Sequence, residues 1–186
     1  MSWRIELDDA IRQAGDDPVS RYLHLATVRP DGRPANRTLV FRGFAPGSDA
    51  LLVATDSRSS KLRQLPWGEV CWLFAGTRQQ FRILGKLTAV GPGRDEEFAA
   101  ERVRLWRAQS PAARIQYAWP EPGGHRADPS AFELPAPDAD RPPAVFTLLI
   151  LDPEEVDHLD LRPTPHRRTR WVRAGHGEWA PEPLNP

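Results

Sequence analysis

The residues best suited to chemistry crowd into one run, Thr55-Asp56-Ser57-Arg58-Ser59-Ser60-Lys61. Hydroxyls and backbone N–H groups donate to phosphate oxygens and a neighbouring cation neutralises the charge, so a run of this kind suits a phosphate. The same residues also suit a helix N-cap beside a solvated basic patch, and the run alone leaves both readings open. Lysine is scarce here: of 25 basic residues only Lys61 and Lys86 are lysines, so the place of each matters. A second group is Arg37-Thr38-Leu39-Val40-Phe41-Arg42. Arginines inside a strand need partners, and Arg37 and Arg42 have opposite parity, which sends them to opposite sides of an ideal strand. Either a bulge intervenes or they serve different anions. In Arg78-Gln79-Gln80-Phe81-Arg82-Ile83-Leu84-Gly85, Gln80 and Arg82 share a polar face, and a glutamine amide can both donate to and accept from a heterocycle. A plain solvent-facing strand has the same pattern. The last group is His166-Arg167-Arg168-Thr169-Arg170-Trp171-Val172-Arg173, which suits an anion or an interface better than nucleic acid, since no aromatic stacking ladder accompanies it.

Other chemistries are disfavoured. The glycine patterns of dinucleotide and nucleoside-triphosphate loops are absent, and Gly91-Pro92-Gly93 reads as a turn. The five histidines, His24, His125, His158, His166 and His176, lack metal-ligand spacing, so no metal is expected. Cys71 lies in an apolar strand, where a thiol is structural. No proton-transfer dyad is apparent, and no catalytic residue is assigned.

These groups must be positioned by strands. Trp3, Leu7 and Ile11 mark a short amphipathic helix that lids the core. Tyr22 to Val28 and Ala35 to Phe44 form a hairpin about Pro30-Asp31-Gly32. Ala50 to Thr55 is a third strand, emptying into a short helix that ends near Leu65. Glu69 to Phe74 and Gln79 to Val90 follow, the latter with Phe81, Ile83 and Leu87 on one face. Arg94 to Ala108 is a helix, and Ser110 with Pro111 caps another that runs toward Tyr117. Residues 119 to 143 hold seven prolines without periodicity and read as a long irregular loop. Ala144 to Leu151, Glu155 to Leu161 and Arg167 to Arg173 are closing strands, with Gly175-His176-Gly177 as a last turn. The class is mainly β with helices (α+β): short strands joined by tight turns argue for an antiparallel barrel, because a doubly wound sheet needs helices between successive strands.

Composition bounds the whole. The chain has 186 residues, enough for a single domain over 1–186, and 20 prolines, about double the usual share of roughly 5%. Lys+Arg and Asp+Glu are 25 each, so no net charge steers the molecule to nucleic acid or an anionic membrane. No apolar run approaches the roughly 20 residues of a membrane span, and the acidic, amphipathic start lacks a secretory h-region. With one cysteine, a cytoplasmic location is expected.

Taken in order, LATVRPDGRPANRTLVFRGF, LLVATDSRSSK, TRQQFRILGK and HRRTRWVR with a terminal EW and closing proline resemble the pyridoxamine 5′-phosphate oxidase family of FMN-binding split barrels. The resemblance spans about Tyr22 to Pro186. It implies a split β-barrel that binds FMN through Arg37, Thr38, Leu39, Val40 and Arg42, then Ala54 and Thr55, then Ser60 and Lys61, then Gln80, with Arg168 approaching from the last strands. Arg37 and Lys61 are the implied phosphate and ribityl anchors. The family's Arg-Lys pair is Ser60-Lys61 here, and Arg58 could supply the missing guanidinium. The family's flavin lies between two subunits, which implies a homodimer. The substrate half departs from the pattern. Arg42 replaces a lysine, Thr164-Pro165-His166 keeps only the histidine of an R-x-H motif, His158 stands for a flavin-covering tryptophan, and Pro122-Gly123 for a Gln-Ser pair. Arg42, His166 and Arg170 are the candidate substrate contacts. The implied activity is that of an FMN-dependent oxidoreductase of unknown substrate. The alternatives are genuine pyridoxamine or pyridoxine 5′-phosphate oxidation, and a flavin carrier or sensor without turnover.

Overall fold

The computed structural model describes residues 2–93, 96–175 and 177–186. Helix α1 (Trp3–Ala14) starts where the Ser2 hydroxyl accepts from the Arg4 N–H, and it buries Trp3, Leu7 and Ala10. Trp3 meets Trp179 edge-on with ring centroids 5.4 Å apart, so the helix closes one end of the barrel as its periodicity predicts.

Strands β1 (Tyr22–Val28), β2 (Pro34–Phe44), β3 (Leu51–Asp56), β4 (Trp67–Phe74), β5 (Gln79–Val90), β6 (Phe146–Asp160), β7 (Arg167–Arg173) and β8 (Trp179–Leu184) pair antiparallel in the order β3-β2-β1-β4-β5-β6-β7-β8. An added β3–β6 pairing closes the first six into a barrel, from which β7 and β8 extend. This is the antiparallel split barrel expected from the sequence.

The closing element differs from expectation. The two strands read at Ala144 to Leu151 and Glu155 to Leu161 are one strand, β6, whose 15 residues pair with β3 through Phe146 to Leu151 and with β7 through Glu155 to Asp160. Asp152-Pro153 looks like a turn, but Pro153 sits where the β5–β6 register shifts, a place that tolerates a missing N–H. Gly85 lies opposite, and a Cβ there would fall 2.1 Å from the Asp152 carbonyl oxygen. The run Phe146 to Leu151 is apolar at nearly every position because both its faces are covered. Leu149 and Leu151 join the barrel core with Trp72, Phe81 and Val156, while Phe146, Leu148 and Ile150 join a second core under Leu105 and Trp106. Those two residues come from α2 (Glu96–Arg107), which is followed by α3 (Pro111–Arg114). The expected helix start, Arg94, and the central residue of the expected last turn, His176, lie outside the described residues. The proline-rich segment 119–143 carries one short 3-10 turn, Pro129–Phe132. Among the described residues no helix is long and apolar enough to cross a membrane.

Candidate functional site

A bulge in β2 decides where its two arginines go. Phe41 pairs with Val53 and Phe44 with Leu51, so Arg42 and Gly43 span a step that Leu52 alone spans on β3. Gly43 takes a φ of 122°, a conformation that side chains resist. Upstream of the bulge, Arg37 shares the core-facing parity of Leu39 and Phe41, whereas Arg42 takes the other side.

Both terminal nitrogens of Arg37 are engaged at the mouth of a cleft. Its guanidinium donates to the Leu25 carbonyl at 3.1 Å, to the Thr27 hydroxyl at 2.6 Å and to the Gln64 side-chain oxygen at 2.6 Å. Lys61, from the turn after β3, donates to the Thr55 and Ser59 hydroxyls, each at 2.7 Å. Every one of these acceptors is neutral. Burial, and then the repulsion of Arg37, holds the Lys61 ammonium below its ordinary pKa. The two cations line one cleft of about 820 Å³ with Thr38, Leu39, Ser59 and Ser60. A lysine has three donors and two are used, so a phosphate in the cleft would take the third and offset the repulsion between the cations. The donor set therefore fits the phosphate end of FMN.

Arg42 is placed differently. Its Nε is buried without a hydrogen-bond partner, and so are Gln109 Nε2 and Arg114 Nε. These groups gather about Tyr117. Arg114 donates to the Gln109 carbonyl at 2.5 Å. Burial raises the Tyr117 phenol above its ordinary pKa, while the Gln109 amide beside it and the Arg42 charge pull the other way. An anion that reached the Arg42 Nε would give it the acceptor it lacks. Gln109, Arg114 and Tyr117 were not singled out from the sequence, where Gln109 only precedes a helix cap.

The remaining predicted residues are dispersed. Ala54 packs against the second core. Arg58 is bound by Asp56 and by the backbone carbonyls of Tyr117 and Trp119. On the outer face of the sheet, Gln80 lies between Leu73 and Leu159, and Leu159 pairs with Arg168. Arg168 grips Asp157 through Nη2 at 2.7 Å, and Arg82 reaches the same carboxylate at 2.8 Å. Burial would raise the Asp157 carboxyl, but these hydrogen bonds outweigh it and hold the pKa below the usual range. Arg170 pairs with Glu182 at 2.6 Å, and His166 is exposed in the turn before β7. One chain thus brings Arg37, Thr38, Leu39, Ser60 and Lys61 to a single cleft, with Thr55 behind Lys61, and leaves Gln80, Arg168 and Arg170 on another face.

His158 is a correction. The resemblance set it in the place of a flavin-covering tryptophan, yet it is 2% exposed inside the barrel, stacked on Phe81 with centroids 4.1 Å apart. Its Nε2 lies 3.0 Å from the Gln79 side-chain oxygen, and burial pulls its pKa down to about 4. It shares the parity of Val156 and Asp160, which points inward.

Comparisons with known proteins bear on the family and the fold. Residues 1–91 match the family model described as pyridoxamine 5′-phosphate oxidase, FMN-binding domain. The chain is 35% identical over 191 residues to a pyridoxine/pyridoxamine 5′-phosphate oxidase 2 of Arabidopsis thaliana, covering 99% of this chain and 96% of that one. It is similar to a solved pyridoxamine 5′-phosphate oxidase-related, FMN binding protein of Nostoc punctiforme PCC 73102, with TM-score 0.94, 44% identity and coverage of 100% and 98%. A Burkholderia lata 383 protein, solved with tetrahydrophenazine-1-carboxylic acid, shares the fold at TM-score 0.75 and 24% identity, with coverage of 98% and 90%.

Proposed function

The chain belongs to the pyridoxamine 5′-phosphate oxidase FMN-binding family, whose cofactor is FMN, and from that premise we propose that it is an FMN-dependent oxidoreductase acting on a small anionic substrate. The observation that carries the reading is the cleft that Arg37 and Lys61 both line, each hydrogen-bonded only to neutral acceptors. Lys61 and Arg37 hold the phosphate and ribityl end, Ser60 and Thr38 add donors, and Thr55 fixes the Lys61 ammonium. When bound, the flavin supplies two-electron redox chemistry that no side chain can. The protein binds, orients and excludes water. Arg42, with Arg114 and Gln109, orients the substrate's anionic group, because these donors have lost water without gaining a partner.

A homodimer is part of the same reading. Gln80 and Arg168 lie on an outer sheet face that also exposes Tyr22, Leu73 and Val172 at 43%, 54% and 43%. A second copy covering this face would bury those side chains and bring its own groups to a shared site. A cytoplasmic setting, supported by a single unpaired cysteine, completes the reading. Purified protein should be yellow, release FMN on denaturation and sediment as a dimer; a colourless monomer that takes up no added flavin contradicts it.

The likeness to the Arabidopsis oxidase supports a second reading, oxidation of pyridoxine or pyridoxamine 5′-phosphate itself. Arg42 then replaces a lysine as phosphate ligand, although a planar fork has a different reach from an ammonium. Anaerobic mixing of the FMN-loaded protein with either compound separates the readings: slow or absent flavin reduction is expected, and rapid complete reduction establishes the second. A carrier without turnover would be bleached by no substrate.

A further inference from the structure

Arg58 is one of the groups that the phosphate-binding run leaves unexplained. Its own backbone N–H donates to Asp56 Oδ1 at 2.8 Å, and its side chain grips the same carboxylate through Nε at 3.0 Å and Nη2 at 2.6 Å. The far side of the guanidinium turns to another part of the chain, where Nη1 donates to the Trp119 carbonyl at 2.9 Å and Nη2 reaches the Tyr117 carbonyl at 3.4 Å. All three side-chain nitrogens are therefore spoken for. The Asp56 side chain is only 13% exposed and Arg58 27%, so the pair is largely withdrawn from solvent screening. The hydrogen bonds that Arg58 donates to Asp56 raise the guanidinium pKa further, so the charge is permanent.

We propose that Arg58 is a positioning residue that couples the cofactor-phosphate turn to the wall formed by Tyr117 and Trp119, and that it is not itself a phosphate ligand. The coupling follows a short physical chain. Lys61 rests on the Ser59 hydroxyl, and Ser59 is the residue after Arg58. An anion that draws the Lys61 ammonium toward itself changes the load on Ser59 and so on the turn that aims the Arg58 fork. The outer nitrogens of the fork transmit that change to the two carbonyls. Beyond them, Tyr117 faces Arg42, and Tyr117 and Trp119 line a second cavity of about 400 Å³ with Asp56, Arg126 and Phe132. The inference rests on the FMN reading and deepens it, since it ties flavin occupancy to the shape of the wall beside the orphaned donors.

The test uses the full-length protein labelled with 5-fluorotryptophan, in which the Trp119 fluorine signal is assigned by its loss in Trp119→Phe. In the unaltered protein, FMN should shift or sharpen that signal. In Arg58→Ala, FMN should still bind within about threefold of the unaltered affinity, but the Trp119 response should vanish. Arg58→Lys keeps the charge beside Asp56, yet one ammonium lacks the fork that spans carboxylate and carbonyls, so it should behave as the alanine variant does. An Arg58→Ala affinity loss as large as that of Lys61→Ala would make Arg58 a phosphate ligand and overturn the proposal. A Trp119 response that persists in Arg58→Ala, or is missing from the unaltered protein although FMN binds, also overturns it. If the unaltered protein binds no FMN, the functional reading fails first and the coupling falls with it.

Discussion

Arg37 and Arg42 stand five residues apart on one strand, and the fold treats them oppositely. Each terminal nitrogen of Arg37 has an acceptor. Arg42 has a buried Nε and no acceptor among the described residues. The first arrangement is complete without a ligand and becomes better with one; the second is incomplete until an anion arrives. The contrast separates two tasks along a single strand, holding the cofactor and recognising what the cofactor acts on. Buried polar groups with partners stabilise the fold, and those without mark where the protein bears a cost for function.

The largest effect expected from this contrast concerns His158, a polar group that burial holds neutral. Its folded pKa is about 4 against an ordinary 6.5. Below pH 6.5 the unfolded chain therefore takes up a proton that the folded chain refuses, and stability falls as pH drops toward 4. A shift of that size corresponds to on the order of 3 kcal/mol. Asp160, held near 2 chiefly by its hydrogen bonds from Arg162, loses its contribution only at lower pH, below 3.8, so the two windows separate. Urea midpoints measured from pH 7 to 4 should show this slope, and His158→Phe should flatten it. An unchanged slope would show that the histidine is not held neutral.

Next in size is Arg37→Met. It takes one donor each from the Leu25 carbonyl, the Thr27 hydroxyl and the Gln64 side-chain oxygen, leaving the Thr27 and Gln64 side chains bonded only to each other at 2.6 Å, and should cost about 1–3 kcal/mol in urea unfolding without flavin. Arg42→Met, measured in the same way, should leave stability within about 1 kcal/mol or raise it, because it removes a buried Nε–H that has no partner. Equal losses in the two variants would erase the distinction between them. Smallest of all is Lys86→Glu, since that exposed lysine makes a loose pair with Glu154 at 3.4 Å and a distant contact with the Trp67 ring at 5.4 Å, and should change stability by no more than about 0.5 kcal/mol.

The cofactor cleft was legible because its chemistry is local. Thr55, Ser59, Ser60 and Lys61 are near neighbours in the chain, and parity alone separates Arg37 from Arg42. The barrel was legible from alternation such as Phe81, Ile83 and Leu87. Three features were not. Arg42 comes near Tyr117 only because the segment after α2 folds back over β3 and β6, a contact no local pattern encodes. The continuity of β6 was hidden by Asp152-Pro153, whose turn-like composition is absorbed by a register shift opposite Gly85. His158 was read from resemblance, while its parity with Val156 and its pairing with Phe81 already pointed inward.

The central claim is that the Arg37–Lys61 cleft holds the flavin phosphate, and FMN titration of Lys61→Ala against the unaltered protein tests it most directly, with Lys86→Glu as the control. Loss of a charge-assisted contact to phosphate predicts affinity lower by about ten- to a hundred-fold in Lys61→Ala, an intact barrel by circular dichroism, and no change in Lys86→Glu. Identical titrations for the unaltered protein and a folded Lys61→Ala would contradict the account.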